Sequence, residues 1–109
     1  MLPFDAAILG MGTDGHTASF FPGGDNLDAA LDEANKALVV AMHAPGAGER
    51  RITLTRRVRL QSHALYLPME GAVKAAVLKQ ARGPGPFEDM PVRAMRQQDL
   101  NELVIFYAP

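Results

Sequence analysis

The 109-residue chain has no cysteine, no apolar run near the length of a bilayer crossing, and almost no excess of either charge. Each absence removes a class of function. Without cysteine there is no disulfide framework, no thiolate zinc site and no cysteine nucleophile. A membrane-crossing helix takes roughly 18 or more consecutive apolar residues, and no run here approaches that. With 11 basic against 12 acidic residues the net charge is −1, so no global field draws the chain to nucleic acid or to an acidic membrane surface. The opening stretch MLPFDAAILG has no charged segment ahead of its apolar part. It does not read as a signal peptide, and a cytoplasmic location is the default expectation. What is present is ordinary: 48% apolar and 21% charged residues, the mix of one soluble globular domain.

Neither repeats nor a dividing linker interrupt the chain. Phe4 to Leu9 reads as a short buried strand stopped by glycine. Asn26 to Ala37 places Leu27, Ala30, Leu31 and Ala34 on one helical side, with Asn26 as the expected cap and acidic residues outside. ALVVAMH predicts a second strand, ended by the loop APGAGE. The alternating, β-branched RITLT, Arg51 to Thr55, predicts a third, and a helical turn over Arg56 to Gln61 leads into a fourth, HALYLPM. A helix opening at Glu70-Gly71 runs to about Arg82, GPGPFEDMP breaks the chain, and ELVIFYA closes it as a fifth strand.

Strands alternating with helical segments predict an α/β fold with a mainly parallel sheet and flanking helices. Such strands need both faces covered and neighbours at their edges. Two or three helices cannot cover about five strands, so the chain is expected to be part of a larger domain or to associate tightly with a covering partner.

The stretch AAILGMGTDGHTASFFPGG, Ala6 to Gly24, carries the chemistry. Gly10, Gly12 and Gly15 spell a GxGxxG after an apolar run. A dinucleotide fingerprint, however, needs a helix that starts within the glycines and continues for several turns. Pro22-Gly23-Gly24 would stop it, and the acidic residues near the required spacing, Asp32 and Glu33, fall inside a predicted helix. No cofactor is therefore expected. The other reading is a strand-end loop whose glycines let backbone approach a substrate closely. His16 is suited to proton transfer near neutral pH, with Asp14 and Thr13 near enough to orient it. The residues alone weigh this evenly against a surface histidine in a tight turn.

The same stretch resembles the signature of 6-phosphogluconolactonases, in which a strand leads into a Gly-x-Gly-x-Asp-Gly-His-x-Ala-Ser-x-Phe-Pro-Gly loop. RRITLT, EGAVKAAVL and MPVRAM extend the resemblance over essentially the whole chain. It implies hydrolysis of 6-phosphogluconolactone to 6-phosphogluconate, and the Rossmann-like fold of glucosamine-6-phosphate deaminase and ribose-5-phosphate isomerase. The related deaminase pattern has a glutamate five residues after the histidine; Phe21 stands there and cannot move a proton. Members of the family are roughly twice as long, which implies that residues 1–109 are the C-terminal portion of one domain, without the N-terminal half and with little activity alone.

A lactone needs a deprotonated water and a held oxyanion. His16 is the expected general base, with Asp14 beside it and backbone N–H groups of the glycine loop as expected oxyanion donors. No metal is required, and no ligand spacing suggests one. His43 and His63 are isolated and read as solvated or structural. Lys74, in the first turn of its helix, opposes the helix dipole; a phosphate held there by the ammonium and helix N–H groups would reconcile the two. The alternative is an exposed lysine or one paired with Glu70. The resemblance brings Arg51 near the substrate, although the start of a parallel strand lies opposite the expected site. Arg50, Arg56, Arg57 and Arg59 beside it read as a solvated face without the interleaved aromatics of a nucleic-acid surface. The rival reading from another class is a non-catalytic sugar-phosphate-binding module.

Overall fold

In the computed structural model, which describes residues 2–109, three of the five strands form one parallel sheet. These are β1 (Ala6–Ile8), β4 (Ala64–Glu70) and β5 (Leu103–Ala108), in the order β1-β4-β5. The register pairs Ile8 with Tyr66 and Tyr66 with Val104. Along the central strand Leu65, Leu67 and Met69 are buried on one face. They join the core with Ala7 and Leu9 before it, with Val77, Leu78 and Ala81 of α3 (Ala72–Arg82), and with Val92, Ala94 and Met95 of α4 (Val92–Arg96). The period-two alternation of the strand meets the helical period of α3 across this layer.

The opposite face of the same sheet is apolar and open. Ile8 is 72% exposed and Phe106 is 56% exposed, with half-buried Tyr66 between their strands. A parallel sheet ordinarily has both faces covered. Here helices cover one.

The remaining strands, β2 (Val39–Met42) and β3 (Arg51–Leu54), depart from the expected parallel arrangement. They form a separate antiparallel ribbon with Val39 opposite Leu54 and Met42 opposite Arg51. The reason is the connection: residues 43–50, with a 3₁₀ turn over Pro45–Ala47, reverse the chain, whereas a parallel crossover needs about a dozen residues or more.

α1 spans only Leu27–Leu31, not the expected run to Ala37. Asp32 turns to extended backbone, its Oδ1 accepts the Ala34 N–H, and Asn35 Oδ1 accepts the Ala37 N–H. These short side chains offer local acceptors that compete with the helix. Asn26 does not cap α1 through its side chain; its amide donates to the Ala41 carbonyl and ties the helix to β2. α2 (Arg56–Leu60) forms where a helical turn was expected.

The solvated-face reading of the arginines holds for exposed Arg50 and fails for Arg56. Arg56 is buried, donates to the Ala94 carbonyl at 2.9 Å and pairs with Glu33 at 2.9 Å. Arg59 is half-buried, and burial lowers its pKa from the usual guanidinium range. Arg93, also buried, donates to the carbonyls of Gln80, Ala81 and Pro86, satisfying acceptors at the C-terminal end of α3. Neither α4 nor this cap was expected from the sequence. Among the described residues no helix is long and apolar enough to cross a membrane.

Candidate active site

The loop that leaves β1 is braced by its own backbone. The Gly12 N–H donates to the His16 carbonyl at 2.9 Å, and the Gly15 N–H to the Gly12 carbonyl at 3.0 Å. Buried Thr17 donates its hydroxyl to the Gly10 carbonyl at 2.7 Å. From the other side the Val92 N–H reaches the Gly15 carbonyl at 2.9 Å. The N–H groups of Gly12 and Gly15 are thus engaged within the turn.

Each glycine has a different reason. At Gly12 a Cβ would overlap Cε1 and Nδ1 of the His16 ring, so only glycine lets the imidazole lie against the backbone. Gly15 has φ +82, and a Cβ there would also stand 2.9 Å from the Met90 side chain. Its role is packing and turn geometry. Gly10 faces open space beside a cleft.

His16 and Asp14 form the chemical pair. Nδ1 of His16 lies 2.5 Å from Oδ1 of Asp14, which also accepts the His16 backbone N–H at 3.0 Å. Burial alone would raise the Asp14 carboxyl. The two hydrogen bonds and the charge of His16 outweigh it, and the carboxyl sits below its ordinary range. An ionised carboxylate can only accept, so the shared proton belongs to Nδ1, and in the neutral imidazole Nε2 presents the lone pair. Among the described residues Nε2 has no hydrogen-bond partner. The ring is half-buried and stacks on Phe21, with centroids 4.3 Å apart. The sequence shows only that Phe21 cannot carry a proton; nothing in its spacing marks the stack. Arg51 lies over the Phe21 ring at 5.4 Å. The antiparallel ribbon therefore brings the start of β3 to the His16 loop, removing the objection raised by a parallel strand.

A cleft of about 650 Å³ opens beyond the C-terminal ends of β4 and β5. Its walls are Gly10 and Met11, residues 68–70 of β4, Lys74 of α3, and residues 106–108 of β5. Ligands of open α/β sheets bind at strand ends of this kind. Lys74 is half-buried and donates Nζ to the Met11 carbonyl; among the described residues it forms no ion pair with Glu70. His16 is not part of the cleft wall. The loop joins the two, because Met11 accepts Lys74 and the next residue, Gly12, lies against His16. His43 and His63 are exposed and outside this arrangement. Among the described residues no three His, Asp or Glu side chains gather as a metal-binding group.

The parallel sheet, the Asp–His pair on its first strand-end loop and the adjoining cleft that holds Lys74 and Glu70 place the chain among α/β proteins whose ligands bind beyond the carboxyl ends of the strands. The chain belongs to the glucosamine-6-phosphate isomerase/6-phosphogluconolactonase family, whose model matches residues 1–105. It is 48% identical over 107 residues to the 6-phosphogluconolactonase of Rhizobium meliloti (strain 1021), covering 98% of this chain and 46% of that protein. The crystal structure of a 6-phosphogluconolactonase from Shewanella baltica OS155 aligns with a TM-score of 0.92 at 38% identity, over 98% of this chain and 45% of the other. A monomeric glucosamine-6-phosphate deaminase aligns with a TM-score of 0.65 at 19% identity over 94% of this chain and 45% of the other, a likeness of fold alone. The chain spans about half the length of the relatives it matches.

Proposed function

We propose that this polypeptide carries the acid–base portion of a 6-phosphogluconolactonase site, with His16 as general base. The observation that carries the reading is the Asp14–His16 pair: the carboxylate anchors Nδ1 and Nε2 is left free at a strand-end loop. Similarity to 6-phosphogluconolactonases over 98% of the chain supplies the substrate class, a phosphorylated sugar lactone. In the reaction, Nε2 takes a proton from water as the water oxygen bonds to the lactone carbonyl carbon. The tetrahedral intermediate then expels the ring oxygen, which recovers the proton from the imidazolium. Asp14 holds the ring in the working tautomer and offsets the positive charge that forms on it.

Lys74 and the first turn of α3 are the proposed phosphate clamp. An ammonium has three donors, so Lys74 can keep the Met11 carbonyl and still bind an anion in the cleft. Gly10 leaves room for the substrate at the cleft wall, and Arg51 adds positive charge on the Phe21 side. The deaminase reading needs a carboxylate where Phe21 packs on the imidazole, and the aromatic contact works against it.

Further polypeptide, the N-terminal half of the same domain, is proposed to cover the apolar sheet face around Ile8, Tyr66 and Phe106 and to complete the pocket. The isolated 109 residues are therefore expected to turn over little lactone. The test is a fusion of this chain to the unmatched portion of the Rhizobium meliloti relative, assayed for lactone hydrolysis and for deamination. His16→Asn in that fusion should lower the hydrolysis rate by about two orders of magnitude or more while 6-phosphogluconate still binds. A fusion that binds 6-phosphogluconate and shows no hydrolysis to lose would instead identify a binding module.

A further inference from the structure

We propose that Phe21 is a positioning residue: its ring, packed on the face of the His16 imidazole, holds that base on Asp14 with Nε2 free. The proposal rests on the lactonase reading of the site and adds to it a residue with no proton to give. Three contacts bound the imidazole. Asp14 meets it at Nδ1, Gly12 lies against Nδ1 and Cε1, and Phe21 stacks on it with 25° between the planes. The bond at Nδ1 restrains one atom but leaves the ring free to tilt about that point. A flat neighbour at 4.3 Å removes the tilt.

The backbone is arranged to make this contact. The Phe20 N–H donates to the Thr17 carbonyl at 2.9 Å and Ala18 takes φ +52, a left-handed conformation unfavourable for a residue with a Cβ. That tight reversal returns the chain so that Phe21 faces the histidine five positions before it. Phe21 itself is 3% exposed, Gly46 lies beside its ring, and the Arg51 guanidinium stands 5.4 Å from its ring centre. The orientation of His16 is thus coupled through one aromatic ring to the turn before β3.

A ring that merely fills space makes different predictions from one that orients a base. Leucine restores apolar volume without a flat face, and tyrosine restores the face. In the fusion described above, Phe21→Leu should lower kcat about tenfold with KM changed less than about twofold, and Phe21→Tyr should recover most of the loss. Nitrogen NMR of the imidazole, recorded on the same proteins, supplies a readout independent of turnover. The unsubstituted protein and Phe21→Tyr should show His16 protonated at Nδ1, and Phe21→Leu a mixture of tautomers. Unchanged kcat and an unchanged tautomer in Phe21→Leu would overturn the proposal even if His16→Asn abolished activity. Hydrolysis that survives His16→Asn would overturn the general-base role of His16, and a fusion with no hydrolysis at all would overturn the lactonase reading. Should Phe21→Leu unfold at the assay temperature, Phe21→Met makes the same comparison with a more adaptable side chain.

Discussion

The ammonium of Lys74 is bound to the carbonyl of Met11, 63 residues earlier in the chain, and Met11 is followed by the glycine on which the His16 ring lies. The first turn of α3 and the loop after β1 are therefore one mechanical unit. A phosphate bound at Lys74 would meet a cation whose position the loop after β1 already sets.

Removing that ammonium should act mainly on binding. Lys74→Met in the complete polypeptide is expected to weaken 6-phosphogluconate binding by about tenfold to a hundredfold, the range for a hydrogen bond to a charged group. Calorimetric titration measures it. The wild-type affinity should also fall with added salt, and the variant's less so.

Asp14 links stability to acid. Its carboxyl lies below the ordinary range in the folded chain because the hydrogen bonds from His16 and its charge outweigh burial. A depressed folded pKa contributes stability that is present above the unfolded value, about pH 4, and is lost as pH falls through the folded value. Thermal melts of wild type and Asp14→Asn should therefore differ near neutrality and converge in acid. Melting temperatures that keep a constant offset down to pH 2 would contradict the assignment.

Gly12 and Gly15 should respond differently to alanine. Gly12→Ala puts a methyl where the imidazole lies, so the ring must shift; the expected loss is about 1–3 kcal/mol of stability together with the lactone hydrolysis proposed for the fusion. Gly15→Ala forces a side chain into φ +82 against Met90, with a loss of about 1–2 kcal/mol or more and a weaker effect on the imidazole. Urea denaturation gives the first quantity, and the imidazole nitrogen spectrum separates the two variants.

The uncovered sheet face predicts behaviour of the short chain itself. With Ile8 and Phe106 exposed beside Tyr66, the isolated 109 residues should bind a hydrophobic dye and self-associate at micromolar concentration. Paired substitutions Ile8→Thr and Phe106→Ser should reduce both. Where the proposed N-terminal half covers this face, the same pair should instead destabilise the complete polypeptide.

The elements of the parallel sheet were legible because their signals are local. The apolar run before Gly10, the alternation of residues 63–69, the helix after Gly71 and the closing apolar strand each announce themselves within a few residues. The glycines around His16 were equally plain, and so was Asp14 beside it. What failed were readings that needed a competitor or a distant neighbour. The amphipathic pattern after Asn26 did not reveal that Asp32 and Asn35 would end α1 early through their own side chains. The arginines around α2 looked alike in sequence, yet Arg56 is buried on carbonyls of two other elements and Arg50 is solvated.

Residue order alone was enough to place a strand, a tight glycine turn and a histidine with its carboxylate in succession, since short-range sterics and hydrogen bonding dictate such features. Folding in three dimensions decided that β2 and β3 leave the sheet as a ribbon, that Arg51 thereby comes to Phe21, and that Lys74 comes to the Met11 carbonyl. Those outcomes depend on which apolar faces find each other across long stretches of chain, and no window of sequence records that choice.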